Sequence, residues 1–377
     1  MAIQLISALL AVFAVVYVVL VYYMRLGWKA IPTAPREDLS GGKVSVLIAA
    51  RNEEENIGRT LSDILAQDFP KEQLEIIVVD DHSTDNTSAI VQTFAHMGVQ
   101  LLTLNESRPL NSYKKKAISE AIAMATGEII VTTDADCRMG PEWLKTIVAY
   151  MDANAYFLVS SPVVYSEERS FFEEMQSLEF LYLIGLGAAG IGNGHPSTCN
   201  GANLAYRRDI FYEVGGFNGI DQLASGDDEL FLHKVARKYD TSRIGFCKSS
   251  GAVVYTDAKR TLGEFIRQRK RWASKSTHYK DKRIVALGVA IWLFNVLLIL
   301  AGASSLFVGG LSMVFLLAFG AKMLVEALFL FPLCAFAGRT SLLKYLPVLS
   351  PLHTLYIVYI GIAGNIGKYE WKGRYVK

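Results

Sequence analysis

The first 24 residues of the 377-residue chain contain no charged side chain, and this limits what the segment can become. The run Ile3–Tyr23 is long enough to cross the hydrocarbon core of a bilayer as a helix. A secretory signal would have a basic start and a shorter apolar run, whereas the first basic residue here is Arg25. We therefore expect residues 1–24 to form a retained transmembrane helix and residues 25–43 to form a linker. The basic residues of this linker place the C-terminal end of the helix in the cytosol.

A second apolar region lies toward the other end of the chain. Ile284–Ala321 is uncharged and too long for one span, so we predict two spans, at about 284–304 and 308–331. Tyr345–Ile366 is interrupted by prolines and has basic residues on both sides, so its placement stays open between a third span and an interfacial segment. The region 284–366 thus holds two to three spans.

These segments are typical of a multi-pass protein of the cell membrane, of the bacterial inner-membrane type. A basic tail, 367–377, follows them. The net charge of +2 gives no indication of a nucleic-acid partner, and we expect none. The four cysteines form no CxxC pair and the six histidines form no HxxxH pair, which argues against a zinc ribbon and a zinc hydrolase.

Between about residues 41 and 255, short β-rich runs alternate with amphipathic stretches. We predict strands at Val44–Ala50, Glu75–Asp81, Val99–Leu104, Glu128–Asp134 and Tyr156–Tyr165. We predict helices at Glu53–Gln67, Asp85–His96, Lys114–Thr126 and Pro141–Asn154. Apolar strands that alternate with helices favour an α/β fold with a doubly wound, mostly parallel sheet. We assign this fold to a cytosolic domain, 44–258, whose ligand binds beyond the carboxyl ends of the strands.

The motif Asp134-Ala135-Asp136 lies at the C-terminal end of one of these strands. Two carboxylates at this spacing can bind Mg²⁺ or Mn²⁺ while the cation binds a diphosphate. A DxD of this kind is expected about once by chance in such a chain, so its position after the apolar run Ile129–Val131 carries the prediction.

Other strand ends bring further polar residues to the same edge. The first strand ends in Ala50-Arg51-Asn52-Glu53, and the second ends in Asp80-Asp81. We predict that the Asp81 carboxylate accepts a hydrogen bond from a base N–H, while Ser83–Asp85 cap the next helix. Among the lysines 114–116, one can approach phosphate, although a solvated helix start explains them equally well.

Gly226-Asp227-Asp228-Glu229-Leu230 places three acids before a helical pattern. Adjacent carboxylates repel one another, which raises a pKa and suits a general base. The alternative is an acidic helix N-terminus that interacts with the helix dipole.

The segment 259–283 contains ten Lys or Arg and two acids, and its apolar residues recur at helical spacing. Such a helix is expected on the cytosolic leaflet, attracted to anionic membrane lipids. Gln268 and Trp272 are four residues apart with Arg271 beside them, so all three can share a face. Arg271 could neutralise a leaving diphosphate and Trp272 could cover an acceptor pocket; plain membrane anchoring is the alternative.

Five motifs in this order resemble the inverting family-2 glycosyltransferases, which have a GT-A nucleotide-sugar domain. They are Val44–Glu54, Val79–Asp85, Asp134–Asp136, Gly226–Leu230 and Gln268–Trp272. The Gln-x-x-Arg-Trp motif is similar to that of the membrane-bound branch with the cellulose, hyaluronan and poly-N-acetylglucosamine synthases, and to that of ceramide-glucosylating enzymes.

The resemblance implies a role for each matching residue. It places the nucleoside at the strand end Ala50–Glu53, with Glu53 and Asp81 as contacts, and the phosphates at Lys114. It assigns the diphosphate to Asp134 and the metal to Asp136. Aligning on Leu230 makes Asp227 the base, whereas aligning on the paired acids makes it Asp228; we prefer Asp227.

The implied activity is metal-dependent transfer of a sugar, with inversion, from a nucleotide-sugar that we expect to be a UDP-sugar. The acceptor is expected to be a membrane-associated lipid or glycan, with processive or single transfer both open. A non-catalytic protein that binds or transports nucleotide-sugars is the other reading.

Overall fold

The computed structural model describes residues 2–33, 42–106, 110–275, 279–307, 309–364, 369–371 and 374–376. The chain divides into two compact units. The helical unit contains Met1–Lys29, Glu168–Gly185 and Lys259–Tyr369. The sheet unit contains Ala30–Glu167, Leu186–Ala258 and Glu370–Lys377.

The sheet unit is built on a seven-stranded sheet with the order β3-β2-β1-β4-β8-β6-β9. Its strands are β1 Val44–Ala50, β2 Leu74–Asp80, β3 Val99–Thr103, β4 Ile129–Asp134, β6 Leu158–Ser160, β8 Leu204–Arg207 and β9 Ile244–Phe246. The first four strands in this order are parallel, and β8 runs antiparallel to both of its neighbours. Because β1, β2 and β4 are buried along most of their length, they are the continuous apolar runs that the sequence shows.

A smaller sheet of three strands has the order β5-β10-β7. Its strands are β5 Arg138–Met139, β7 Val163–Ser166 and β10 Val254–Asp257. The prediction of one strand over Tyr156–Tyr165 is wrong, because β6 and β7 belong to different sheets. Pro162 lies between them and lacks the N–H group that a continuous ladder would need.

Helices cover the large sheet and connect its strands. In the sheet unit they are α2 Ile57–Leu65, α3 Thr87–Thr93, α4 Tyr113–Met124, α5 Trp143–Ala153, α7 Arg208–Glu213 and α8 Glu229–Lys238. The four helices predicted between strands are thus present, with shorter bounds. A short hairpin follows at the C-terminal end, formed by β11 Tyr369–Trp371 and β12 Arg374–Val376.

Among the described residues, five helices are long and apolar enough to cross a membrane, judged by length and composition. The long helices are α1 Ala2–Ala30, α6 Phe171–Gly192, α10 Lys282–Ser305, α11 Gly309–Phe336 and α12 Leu346–Ala363. The sequence did not predict α6, whose glutamates interrupt its apolar pattern; its residues to Gly185 belong to the helical unit. The helical unit also contains α9 Leu262–Ala273.

Several bounds differ from the predicted ones. Helix α1 continues six residues beyond the predicted end, into the predicted linker, and Trp28 packs edge-on against Phe336 there. Helix α12 continues through both prolines: Pro347 lies in its first turn, where the missing N–H needs no partner, and Pro351 lies inside the helix. Residues 34–41 of the linker, 276–278 of the basic segment and 367–368, 372–373 and 377 of the tail lie outside the described residues.

Candidate functional site

The carboxyl ends of three parallel strands meet at one edge of the large sheet. Ala50 of β1 lies opposite Asp80 of β2, and Ala49 lies opposite Asp134 of β4. The Asp81 amide continues this register by donating to the Ala50 carbonyl at 2.8 Å. The acids that end these strands therefore share an edge, as the sequence predicted.

Asp81 is buried at this edge and is contacted by an arginine and a histidine side chain. Its carboxylate oxygens lie 2.8 and 2.9 Å from Nη1 of Arg374, on β12. The Nδ1 atom of His82 lies 3.0 Å from Asp81 Oδ1. The Arg374 guanidinium also lies 3.6 Å from the centre of the Tyr113 ring, which meets the His82 ring edge-on. Asp81, His82, Tyr113 and Arg374 thus form one contact cluster that combines aromatic and polar groups.

Arg51 fixes the backbone of this region. Its Nη1 atom donates to the carbonyls of Asp81 and His82, at 2.8 and 2.9 Å. Asn52 and His82, which follow neighbouring strands, both have left-handed backbones, with φ of 50° and 54°. Such conformations are uncommon outside glycine and cluster at functional sites.

The two neighbouring acids of β2 have different roles. Asp80 accepts hydrogen bonds from the Ser83 amide and the Ser88 hydroxyl, at 3.2 and 2.7 Å. It therefore shapes the turn before α3, while the Asp81 side chain contacts His82 and Arg374. Asp85 accepts from both the amide and the hydroxyl of Thr87, the first residue of α3, whereas the N-cap position itself is Asn86, one residue beyond the predicted cap Ser83–Asp85.

Glu53 lies in the turn before α2, and its predicted nucleoside contact stays a prediction. Its amide donates to the Thr87 hydroxyl at 2.8 Å, and its carbonyl accepts from the amides of Asn56 and Ile57. Its carboxylate accepts from the Asn56 side chain at 3.3 Å.

Lys114, in the first turn of α4, joins two of the predicted acidic motifs. Its Nζ atom lies 2.7 Å from Asp134 Oδ1 and 3.2 Å from Asp227 Oδ2. Burial alone would lower the pKa of Lys114, but the carboxylates of Asp134, Asp227 and Asp228 raise it above its usual range. The ammonium group therefore stays protonated between acids that are 93 residues apart in the chain.

Asp227 and Asp228 are directed to different partners. Asp228 is the N-cap of α8 and accepts from the amides of Glu229 and Gly201, at 2.6 and 3.0 Å. Asp227 instead faces Lys114. A Cβ atom at Gly201 would lie 3.2 Å from the Asp227 carboxylate, so the absence of a side chain lets this turn approach both acids closely.

The turn that carries Asp136 is held by a helix. The buried Thr60 hydroxyl of α2 lies 2.8 Å from the Ala135 carbonyl and 2.9 Å from the Cys137 carbonyl. The Asp136 carboxylate raises the pKa of the neighbouring Cys137 thiol, in addition to the larger effect of burial.

The acids at this edge fit a divalent cation that is held together with substrate. No group of three metal-ligating side chains is found among the described residues. Mg²⁺ in proteins is commonly held by one or two carboxylates and substrate phosphates, which is the set that Asp134, Asp136 and a diphosphate would supply. The carboxylates of Asp134, Asp227 and Asp228 all act on the single ammonium group of Lys114, so a further positive charge would be stabilised here.

Gln268, Arg271 and Trp272 lie on α9 in the helical unit, so their predicted roles stay predictions. The helix begins with a capping box between Thr261 and Glu264. Trp272 stacks on Phe180, and the Gln268 side chain accepts from Arg269 at 2.6 Å.

Sequence reasoning missed several residues of this site. Thr60 and Tyr113 carry no motif, and Arg374 was noted only as one of several basic residues in the tail. Lys115, the neighbour of Lys114, is 2% exposed and was not distinguished from a solvated lysine. Burial distinguishes Lys115 from the neighbouring lysines, but a run of three lysines does not reveal which of them is buried.

Residues 45–215 match the family model described as Glycosyl transferase family 2. The chain is 31% identical over 240 residues to a probable glycosyltransferase, YdaM, of Bacillus subtilis (strain 168), covering 61% of this chain and 54% of that protein. It is 25% identical over 232 residues to the beta-monoglucosyldiacylglycerol synthase of Synechocystis sp. (strain PCC 6803), covering 61% of this chain and 47% of that protein. The chain thus spans about half the length of these curated relatives.

Among solved structures, the mannosyltransferase PcManGT from Pyrobaculum calidifontis, in complex with GDP-Man and Mn²⁺, has a TM-score of 0.59 with this protein. The match is 21% identical and covers 94% of this chain and 99% of that one. At this level of identity the likeness shows a shared fold.

Proposed function

We propose, from the family 2 glycosyltransferase domain that the chain carries over residues 45–215, that the protein transfers a sugar from a nucleotide-sugar to a membrane-associated acceptor. One observation carries the proposal: Lys114 brings Asp134 and Asp227 together at the sheet edge that also carries Asp81. A nucleotide-sugar donor needs a contact for its base, a contact for its diphosphate and a group at its reacting carbon. This edge offers Asp81, Lys114 and Asp227 for these three roles.

The donor's nucleoside is assigned to the strand end that carries Ala50 and Arg51, with the Asp81 carboxylate as acceptor for a base N–H. We expect uracil as the base. The diphosphate is assigned to Lys114, whose raised pKa keeps it charged throughout the neutral range. A lysine already paired with Asp134 and Asp227 exchanges part of this pairing for phosphate when the donor binds.

Asp227 is proposed as the general base. Its carboxylate would take the proton of the acceptor hydroxyl while that oxygen attacks the anomeric carbon and the bond to the diphosphate breaks. A single displacement of this kind inverts the anomeric configuration. Asp228 is the weaker choice, because its carboxylate already accepts from two main-chain amides.

A divalent cation, Mg²⁺ or Mn²⁺, held by Asp136 and Asp134 with the donor, would neutralise charge on the departing diphosphate. The carboxylate-rich edge around Lys114 supports this assignment. The solved mannosyltransferase of the same fold was obtained with Mn²⁺.

The acceptor is proposed to be a lipid or a lipid-borne glycan at the membrane, with the sheet unit in the cytosol. The five apolar helices and the similarity to a glycolipid synthase support this assignment. Transfer of a single sugar to a lipid is favoured over polymer synthesis by the same similarity.

The proposal is tested with purified full-length protein, a panel of nucleotide-sugars, and Mg²⁺ or Mn²⁺. Release of the nucleoside diphosphate from one donor is expected, followed by mass analysis of lipid-extracted products. A single-sugar lipid and a ladder of polymers distinguish the two modes of transfer. Absence of release over the whole panel would refute the proposal, and wild-type turnover in Asp136→Ala would remove the metal role.

A further inference from the structure

The lysines 114–116 lie in the first turn of helix α4, and each has a different environment. Lys114 contacts Asp134 and Asp227, as described above. Lys116 forms a partly exposed ion pair with Glu120, one helical turn further on. Lys115 is 2% exposed, and its charge is therefore buried in the interior of the sheet unit.

The ammonium group of Lys115 donates hydrogen bonds to three carbonyls of one loop, residues 220–225. Its Nζ atom donates to the main-chain carbonyls of Ile220, Leu223 and Ser225, at 2.8, 2.5 and 2.7 Å. An ammonium group has three N–H donors, and three carbonyls are present to accept them. Burying a charge is costly unless it is hydrogen-bonded in this way, so the loop conformation and the buried lysine depend on each other.

This loop leads directly to Asp227. Ser225 is followed by Gly226, whose φ of +86° turns the chain and favours glycine. On the far side of Asp227, Asp228 caps α8. The backbone of Asp227 is thus held between the Lys115 bonds and the helix cap, while Lys114 holds its side chain.

We propose that Lys115 is a positioning residue, which fixes the loop 220–225 and thereby holds the Asp227 carboxylate in place beside Asp134. The inference rests on the proposed function, in which Asp227 is the base. The donor contacts assigned above lie on strand ends and on Lys114. Loss of Lys115 therefore slows the reaction of bound donor without weakening donor binding.

The test compares Lys115→Met with Lys116→Met, the same substitution one residue further on. Lys115→Met should lower kcat on the order of a hundredfold, as expected for a misplaced reacting group, with the donor KM and the Kd for the nucleoside diphosphate unchanged. Lys116→Met should change none of these quantities. A wild-type kcat in Lys115→Met, or a kcat loss matched by an equal loss of donor affinity, would overturn the proposal.

Two further measurements keep the test decisive. Amide hydrogen exchange of residues 220–227 should be faster in Lys115→Met, and unchanged exchange would overturn the inference even if no donor is turned over by the wild type. Absence of turnover in the wild type counts against the proposed function alone. If Lys115→Met does not fold, Lys115→Arg keeps the charge but must displace the loop, so its kcat should fall too; an unchanged kcat in that variant overturns the proposal.

Discussion

The Arg374 guanidinium lies within 2.9 Å of both carboxylate oxygens of Asp81, although the two residues are 293 positions apart. Asp81 is the acid to which we assign recognition of the nucleotide base. Both oxygens are therefore already engaged by a cation in this conformation, and Tyr113 packs against the face of the same guanidinium. A base N–H that bonds to Asp81 therefore competes with Arg374 for these oxygens.

Replacing Arg374 by Ala should therefore tighten nucleotide binding. We expect the Kd for UDP to fall by up to about tenfold, which corresponds to about 1.4 kcal/mol. Isothermal titration calorimetry measures this change directly. Arg374→Lys should give an intermediate Kd, because an ammonium group keeps the charge but loses the planar stacking on Tyr113. Weaker UDP binding in Arg374→Ala would instead make Arg374 part of the nucleotide site.

Single substitutions of the two acids before α8, Asp227 and Asp228, should have different effects on kcat and on stability. Asp227→Asn should lower kcat on the order of a hundredfold or more, the usual effect of losing a general base, with the thermal stability preserved. Asp228→Ala should instead destabilise the protein by about 1 kcal/mol, because it removes the cap of α8. Steady-state kinetics and thermal unfolding of both variants give the comparison, and the reversed pattern would assign the base to Asp228.

Arginines on α9 should also differ in their effects. Arg269 is buried and hydrogen-bonded to both carboxylate oxygens of Glu179, so Arg269→Ala should destabilise the helical unit by about 3–5 kcal/mol. Arg271→Ala should leave stability unchanged and lower kcat on the order of a hundredfold, if it stabilises the leaving diphosphate. Arg267 is exposed on the same helix and serves as the control. Equal kcat values for Arg267→Ala and Arg271→Ala would limit the role of Arg271 to membrane anchoring.

Glu75 should make stability depend on pH at the acidic end. Burial alone would raise its pKa, but hydrogen bonds from Ser45 and Thr126 lower the pKa below its usual range. The stabilisation is therefore present above the pKa of the unfolded chain, about 4.3, and is lost as the pH falls through the lower folded value.

Glu75→Gln should accordingly lower the free energy of unfolding by about 1–3 kcal/mol at neutral pH, because it disturbs buried hydrogen bonds. Its stability should also fall less steeply than that of the wild type between about pH 5 and pH 3. Denaturant titrations over this range test both statements. Parallel pH profiles in the two proteins would show that Glu75 does not contribute to the acid sensitivity.

The sequence predicted the sheet edge because continuous apolar runs end in acids at Asp80 and Asp134. A continuous apolar run indicates a strand that is buried on both faces. The strands β1, β2 and β4 were therefore predicted with bounds correct to within one residue. The short strands beyond β4 were not found as such, since a strand of two to four residues has no period to detect. The break at Pro162 illustrates this limit, because the apolar residues continue on both sides of it.

The site itself could be predicted only where residues are adjacent in the chain. Asp134 and Asp136 form a recognisable pair, whereas the contact from Lys114 to Asp227 depends on how α4 and the loop before α8 fold onto the sheet. Arg374 reaches Asp81 from the last residues of the chain, and no local pattern encodes such a contact. The distinction between Lys114, Lys115 and Lys116 likewise depends on the helix face that each residue occupies.

The turn that carries Asp136 connects two different sheets. It leaves β4 in the seven-stranded sheet and enters β5 in the three-stranded sheet, and Thr60 bonds to carbonyls on both sides of Asp136. Neither end of the turn can move unless a sheet opens, so the turn cannot act as a hinge or a flap. If a donor binds here as proposed, we expect it to meet two carboxylates, those of Asp134 and Asp136, that the two sheets already hold in place before it arrives.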